Sequence, residues 1–221
     1  MSETKLGLSP EELELATNAS LILTKNAIIQ KTIHLFGELH EQQKKLVDHT
    51  HLPEALKNSS PKISKGEYYQ GLPYVVLDYP RVFEKNNIAA IRTLFWWGNF
   101  FSITLHLSGS YKIFFQPRIL DNFSTLKQND FYYCINDSEW EHHFEKDNYN
   151  PVDGSEKAKL EGLLNSREFI KLAYRFPVKK WNESAGLLLH YFSIILHMLE
   201  FSRPGDETAL LPGGPKEKSG L

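Results

Sequence analysis

Arg92 and His106 are the first residues whose types and placement could support chemistry. They fall on two successive predicted strands, where an imidazole beside a guanidinium could take part in acid–base catalysis. A two-residue turn at Gly98-Asn99 places the two side chains on opposite faces of the sheet. If Phe100 joins the turn, the register shifts by one residue and the pair become neighbours on one face. The alternative is a surface histidine and an arginine at a sheet edge.

His142 and His143 form a second candidate group, in a polar and aromatic stretch at residues 137–154. Imidazoles interleaved with carboxylates on a loop could hold a divalent ion or supply a general acid and a general base. The simpler interpretation is a solvated surface. The carboxylates of this run are Glu139, Glu141, Glu145 and Asp147.

His190 and His197 are seven residues apart on the predicted last helix and therefore share a face. If that helix packs on the first, they could meet His34 and His40 as metal ligands. Zinc sites on helices usually combine closer histidine spacing with a carboxylate, as in HExxH, and the sequence has no such motif. His190 and His197 are therefore weak metal candidates, and we predict no cofactor.

Aromatic residues between 68 and 133 exceed what one face of a small sheet needs to bury. Because Trp96 and Trp97 are adjacent on a strand, one must lie under the helices and the other on the opposite face. An uncovered aromatic patch would mark a binding surface, unless residues 137–154 cover it. The predicted ligand-binding residues are Trp96, Trp97, Tyr79 and Trp140.

Residues 88–117 form the predicted core, as three consecutive antiparallel strands. Apolar residues alternate with polar ones from Phe101 to Leu107, which is the pattern of a strand with one buried face. The third strand is predicted at Tyr111–Gln116 and ends at Pro117. Helix, strands and then helix in this order predict an α+β fold. We expect an antiparallel sheet of five or six strands, with a long N-terminal and a C-terminal helix on one face.

The predicted domain is a single unit over residues 1–202. Its helical part spans 10–49 and begins at a capping box of Ser9 and Glu12. Two apolar stripes run along this part. They suggest either a break near Gly37 or a projecting helix that dimerises through residues 15–39. The sheet region is predicted at 68–177 and the last helix at 182–202. Residues 203–221 are rich in Pro and Gly, which predicts a disordered tail.

Composition restricts the classes of function. The 221-residue chain has a net charge of −2, which gives no basic footprint for nucleic acid. The longest apolar stretch, residues 185–201, is interrupted by polar side chains and predicts a core helix, so we expect no membrane association. One cysteine, Cys134, excludes an intrachain disulfide, and no secretory signal is recognisable, so we expect a cytoplasmic protein.

Three functions follow from these patterns. The leading hypothesis is a non-catalytic protein that binds a partner protein or a small molecule with its aromatic sheet face and the 137–154 loop. The alternative is a hydrolase-like or metal-assisted enzyme that uses histidine, arginine and carboxylate groups near the sheet. The third is a structural homodimer. Motifs for nucleotide binding or a serine nucleophile are absent from the sequence.

Overall fold

A computed structural model describes residues 6–152 and 157–200, so the predicted tail at 203–221 lies outside the described residues. Seven helices are present in that part of the chain: α1 Pro10–Thr17, α2 Ala19–His49, α3 Glu54–Lys57, α4 Gly109–Asp121, α5 Phe123–Gln128, α6 Lys157–Ser166 and α7 Ser184–Leu199. Seven strands accompany them: β1 Lys62–Tyr69, β2 Leu72–Phe83, β3 Ile88–Trp96, β4 Phe100–Ser108, β5 Tyr132–Cys134, β6 Tyr149–Pro151 and β7 Phe169–Pro177.

The strands form one antiparallel sheet in the order β1-β2-β3-β4-β7-β5-β6. Helices α2 and α7 pack on each other and on one face of this sheet. The predicted α+β class, with an antiparallel sheet and both terminal helices on one side, is therefore confirmed. Seven strands form where five or six were expected, because β1 and β6 were not predicted.

The register between β3 and β4 settles how Arg92 and His106 are related. The turn between the strands has three residues, 97–99, and Gly98 occupies the left-handed region with φ of 73°. Trp96 therefore pairs with Phe100, and Arg92 lies opposite Thr104. Both registers considered from the sequence were wrong, because Trp97 joins Gly98 and Asn99 in the turn and Phe100 does not. Arg92 and His106 share a face as diagonal neighbours, since His106 pairs with Ala90.

The third predicted strand, Tyr111–Gln116, is wrong, since these residues belong to helix α4. Tyr111, Phe115 and Ile119 are buried at a spacing of four residues, which is the helical period. Pro117 lies inside the helix and removes one backbone hydrogen bond, to the carbonyl of Ile113. Both residues are exposed, so that carbonyl is on the solvent side of the helix.

The N-terminal helical part contains a break, although not near Gly37. The capping box at Ser9 is confirmed: Glu12 N–H donates to the Ser9 hydroxyl, and Ser9 N–H donates to the Glu12 carboxylate. Helix α1 ends at Thr17, and Asn18 caps α2 by accepting a hydrogen bond from Leu21 N–H. Helix α2 then continues through Gly37 for 31 residues, or about 46 Å.

Two other predicted boundaries are wrong. The sheet region begins at Lys62 and not at residue 68, because the exposed, polar strand β1 pairs with β2. Strand β2 continues past Pro80, where the pairing is irregular between Asp78 and Arg81. The last helix, predicted at 182–202, is Ser184–Leu199 and follows a 3-10 segment at Val178–Glu183.

The two faces of the sheet are covered differently. Odd-numbered residues of β3 and β4 point towards α2, α4 and α7 and form the main apolar core, which we call the helix side. Even-numbered residues point towards residues 137–152, the described part of the 137–154 loop, and form the loop side. The helix side includes Phe36, Ile91, Phe95, Phe101, Leu105, Leu172 and Phe192, each essentially inaccessible to solvent. Within the described ranges, no helix has both the length and the apolar character needed to cross a membrane.

Candidate functional site

The loop side of the sheet combines aromatic packing with buried polar groups. Each central strand contributes at least one, because every second residue of a strand faces the same way. These residues, all buried except the partly exposed Arg92, are Asp78 on β2, Arg92 on β3, Ser102, Thr104 and His106 on β4, and Lys171 on β7. Burial of charged groups is costly unless each is paired, so their partners determine what the site can do.

Asp78 and Arg92 form a bidentate ion pair across strands β2 and β3. Arg92 Nε donates to Asp78 Oδ1 at 2.7 Å, and Nη2 donates to Oδ2 at 3.0 Å. The remaining side of the guanidinium faces the loop, where Nη1 lies 3.2 Å from Nε2 of His142. Burial, with a further contribution from the charge of Arg92, holds the pKa of His142 well below its ordinary value of 6.5. His142 is therefore a neutral acceptor of the Arg92 hydrogen bond.

His106 contacts three side chains at the other end of the loop side. Its Nε2 lies 2.8 Å from Oε2 of Glu139, and its ring makes edge-to-face contacts with Trp140 at 5.6 Å and Phe169 at 6.2 Å between centroids. Burial lowers the pKa of His106, so the neutral ring donates its Nε2 proton to the carboxylate. This hydrogen bond is the largest cause that lowers the pKa of Glu139, which is therefore an anion at neutral pH.

Lys171 lies beside His106 on the neighbouring strand and is almost completely buried. Its ammonium group donates to the main-chain carbonyl of Glu141 and lies 5.5 Å from the centroid of the Tyr149 ring. Burial lowers the pKa of Lys171 to about 8. Burial also raises the pKa of the nearby Cys134 thiol, so this cysteine is not an activated nucleophile.

The 137–154 loop is held on the sheet by aromatic and polar contacts. The Tyr69 hydroxyl accepts hydrogen bonds from the main-chain N–H groups of His142 and His143 and donates to the Glu141 carboxylate. Phe144 stacks on Tyr149, the first residue of β6, with ring centroids 4.5 Å apart. Residues 137–152 are therefore anchored on the sheet and include strand β6, where the simpler interpretation of the sequence was a solvated loop.

A cleft of about 520 Å³ opens where the loop begins, beside the His106–Glu139 hydrogen bond. Glu139 exposes 25% of its side chain, and Trp140 is 50% exposed. Three further regions complete the wall: the β2–β3 turn, the junction of β4 with α4, and the segment that leads into β7. The lining residues are Lys85, Asn86, Ser108, Gly109, Asp137, Ser138, Glu139, Trp140, Glu168 and Phe169.

The sequence-predicted ligand-binding residues do not converge. Trp140 lines the cleft, but Trp96 is buried on the loop side, where the 137–154 loop and its neighbours cover it. Trp97 lies in the β3–β4 turn and packs on Phe95 of the helix side. Tyr79 is buried on the helix side against the ring of His40.

The four catalytic candidates lie together on the loop side, with Arg92 against His142 and His106 against Glu139. His143 is buried next to Glu141 and Asp147, at 3.7 and 3.8 Å from their carboxylates. None of these four side chains lines the cleft, although His106 lies directly behind it. Catalysis by this set would have to act through Glu139.

Metal ligation by histidine finds no support from the described residues, among which no three His, Cys, Asp or Glu side chains are placed to hold an ion. His190 is exposed and contacts the ring of Tyr191. His197 lies 3.5 Å from Glu200, whereas His34 is near Glu38 on α2. The histidines of the two helices therefore occupy separate environments.

Sequence reasoning missed Asp78, Lys171 and Tyr69 as members of the site. Lys171 carried a usable signal, since it alternates with the apolar residues of β7 and lies on the same face as Ala173 and Arg175. That alternation is also typical of a solvated face, so nothing in β7 alone indicated that a loop covers it. No protein-family model, curated protein or solved structure matched the chain.

Proposed function

We propose that this protein is a non-catalytic binding protein that holds a small molecule in the cleft between the 137–154 loop and the sheet. One observation carries the proposal: buried His106 fixes three lining side chains, Glu139, Trp140 and Phe169. A cleft whose polar and aromatic walls are held by a common buried residue is pre-organised, which lowers the entropic cost of binding. The proposed location is the cytoplasm, and the support for it comes from the sequence alone.

The burial of the loop side favours binding in the cleft over docking of a partner protein on the aromatic sheet face. Trp96 is covered, and the rings around it pack on one another, as Phe100 does with Trp96 and Phe144. The remaining exposed aromatic surface near the loop is Trp140, at the mouth of a concave site. Concave sites with a few fixed polar groups are typical of small-molecule binding.

A hydrolase-like enzyme is the second candidate function, favoured by the His106–Glu139 hydrogen bond at the wall of the cleft. A carboxylate backed by an imidazole could act as a general base. The low pKa of Glu139 argues against this, because a strong general base at neutral pH needs a raised carboxyl pKa. Arg92, Lys171 and His142 hydrogen-bond to protein groups and do not line the cleft.

The test is a nuclear magnetic resonance titration of the uniformly 15N-labelled protein with small aromatic compounds that are neutral, cationic or anionic. The indole N–H signal of Trp140 is assigned with Trp140→Phe. We expect at least one compound to move this signal in a saturable way, and Trp140→Ala to weaken that binding. Tyr68→Ala is the matched control, because it removes an exposed ring that does not line the cleft. If no compound moves the Trp140 signal at millimolar concentration, the proposal is wrong.

A homodimer through residues 15–39 is the third candidate. Helix α1 has no buried residue, and several leucine and isoleucine side chains at the start of α2 are exposed. Dimerisation through these residues would not involve the cleft, so one protein can both form a homodimer and bind a small molecule.

A further inference from the structure

We propose that the ligand of the cleft is an organic cation, with an ammonium group held by Glu139 and Trp140 and an apolar body directed towards Phe169. The inference rests on the proposed function, because it names the ligand class of the same cleft. It stands on three features of the lining: an anionic side chain that forms no ion pair with a lysine or arginine of residues 6–152 and 157–200, an exposed aromatic ring beside it, and apolar surface within reach.

The charge of the cleft is negative, and Glu139 is its available anion. The charge of the exposed Asp137 is offset by Arg167, which forms an ion pair with it. Glu168 and Lys85 are both exposed at the rim and offset each other in formal charge. Glu139 is different, because its hydrogen-bond partner among the described residues is the uncharged ring of His106.

The groups behind Glu139 do not neutralise it by direct contact. The ammonium of Lys171 donates to the Glu141 carbonyl, and the guanidinium of Arg92 is paired with Asp78. The more distant positive charge of Lys171 also lowers the pKa of Glu139 and helps to keep it ionised. A carboxylate that is ionised, oriented by one hydrogen bond and partly exposed retains free lone pairs for an ammonium donor.

Trp140 supplies the second half of a cation site. An indole ring attracts a cation over its face more strongly than other aromatic side chains do. His106 touches the ring edge-to-face, so the residue that orients the carboxylate also orients the ring. The protein makes a related contact elsewhere on this face, where the Arg175 guanidinium lies 4.9 Å from the centroid of the Phe144 ring.

The dimensions and the apolar wall restrict the ligand further. A volume of about 520 Å³ is within the range of small-molecule sites. Phe169 is buried and contributes ring surface to the lining. A compact amine with a short apolar body therefore fits better than an inorganic cation, which would leave the apolar surface of Phe169 unused.

The experiment compares three probes of similar size: phenethylamine, 2-phenylethanol and 3-phenylpropionate. Affinity is measured near neutral pH by calorimetry and by the fluorescence of Trp140, the most exposed tryptophan of the protein. We expect the amine to bind about tenfold more tightly than the alcohol, and the carboxylate to bind most weakly. Trp140→Ala should reduce affinity for the amine about tenfold, and Trp140→Phe should restore part of it.

Glu139→Gln is the decisive variant, because the amide can still accept the hydrogen bond from His106 while the charge is lost. It should remove the preference for the amine and leave the affinity for the alcohol unchanged. Glu145→Gln is the matched control, since it neutralises an exposed carboxylate of the same loop that does not line the cleft. Both variants should unfold at the same temperature as the parent protein.

The possible results separate this inference from the function on which it rests. Equal binding of amine and alcohol in the Trp140 cleft would refute the cation and leave small-molecule binding in place. Tighter binding of 3-phenylpropionate would do the same, and would assign the opposite charge to the ligand. Failure of all three probes, together with a Trp140 signal that no compound moves, would refute both proposals.

Discussion

The ion pair of Asp78 and Arg92 allows the sharpest prediction about how the loop side is built. The two residues lie opposite each other on β2 and β3, and their hydrogen bonds are bidentate at 2.7 and 3.0 Å. Asp78 is 4% exposed, whereas the Arg92 side chain is 19% exposed. In Asp78→Ala, the guanidinium would stay mostly buried and would lose its only carboxylate partner in the described structure.

The expected loss of stability follows from these numbers. Removal of one partner of a buried pair typically costs 3–5 kcal/mol, because the other charge is left uncompensated. Arg92 retains some access to water and its hydrogen bond to His142, so we expect the lower end, about 3 kcal/mol. For a protein of this size that corresponds to a decrease in melting temperature of roughly 6–12 °C.

Replacing both charges should restore most of this loss. In the double variant Asp78→Leu, Arg92→Leu, two apolar side chains would lie next to Val76 and Leu94 on the same face. Replacement of a buried ion pair by packed apolar residues is often neutral. We therefore expect the double variant to unfold within about 1 kcal/mol of the parent protein.

Urea unfolding followed by tryptophan fluorescence measures all of these free energies. The control is Glu67→Ala, which breaks the more exposed ion pair with Lys25 and should cost less than about 1 kcal/mol. A cost below about 1 kcal/mol for Asp78→Ala would refute the reasoning, since it would show that the charge of Arg92 is compensated without Asp78. So would a double variant as unstable as the sum of its single variants. Retained ligand binding in the double variant would assign Arg92 a structural role.

Two further predictions concern pH and association. The pKa of His142 lies well below 6.5 in the folded protein. The contribution of His142 to the free energy of unfolding should therefore be complete above pH 6.5. This contribution should fall as the pH decreases below 6.5, because the unfolded chain then takes up a proton that the folded chain does not. His142→Gln should make urea unfolding less dependent on pH between about 7 and 5. An unchanged dependence would show that His142 takes up its proton at the same pH in the folded and the unfolded chain. Sedimentation at increasing concentration should detect a dimer that Leu21→Glu combined with Leu23→Glu dissociates. Ile113→Glu, at an exposed position of α4, should leave this dimer intact. A monomeric parent protein at every concentration would exclude the dimer.

The fold was predictable wherever one face of an element is apolar and the other is polar. The alternation from Phe101 to Leu107 placed β4 correctly, because the helix side accepts only apolar residues there. The capping box at Ser9 fixed the start of α1 from local chemistry alone. These signals act over a few residues, so they do not depend on what the rest of the chain does.

Elements whose state depends on distant contacts were not predictable in this way. Residues 111–116 are aromatic enough for a strand, and the helix forms because Tyr111, Phe115 and Ile119 reach the helix-side core together. Strand β1 is polar on both faces, and its pairing with β2 is what makes it a strand. Propensity decides neither case, since tertiary packing overrides it.

The site was only partly predictable, for a related reason. The sequence placed Arg92, His106, His142 and Trp140 among the candidates, but the side on which Arg92 lies depended on one residue of turn length. Trp97 joins the turn, and this moves every side chain of β4 by one position relative to β3. The meeting of His106 with Glu139 spans 33 residues and requires the loop to fold back over the sheet.

The two faces of the sheet support different conclusions about why their residues are present. The helix side is mostly apolar, with a few buried polar side chains such as Thr93 and Gln43, and its packing accounts for the fold. The loop side buries Asp78, His106 and Lys171, where apolar residues would be expected to stabilise the fold at least as well. These groups position the loop. His106 and Lys171 form hydrogen bonds to the loop directly, and Asp78 acts through its partner Arg92. The ion pair of Asp78 holds Arg92 against His142, and His106 holds Glu139 and Trp140. The shape and charge of the cleft are therefore set by the rigid sheet and not by the loop alone, as a pre-organised binding site requires.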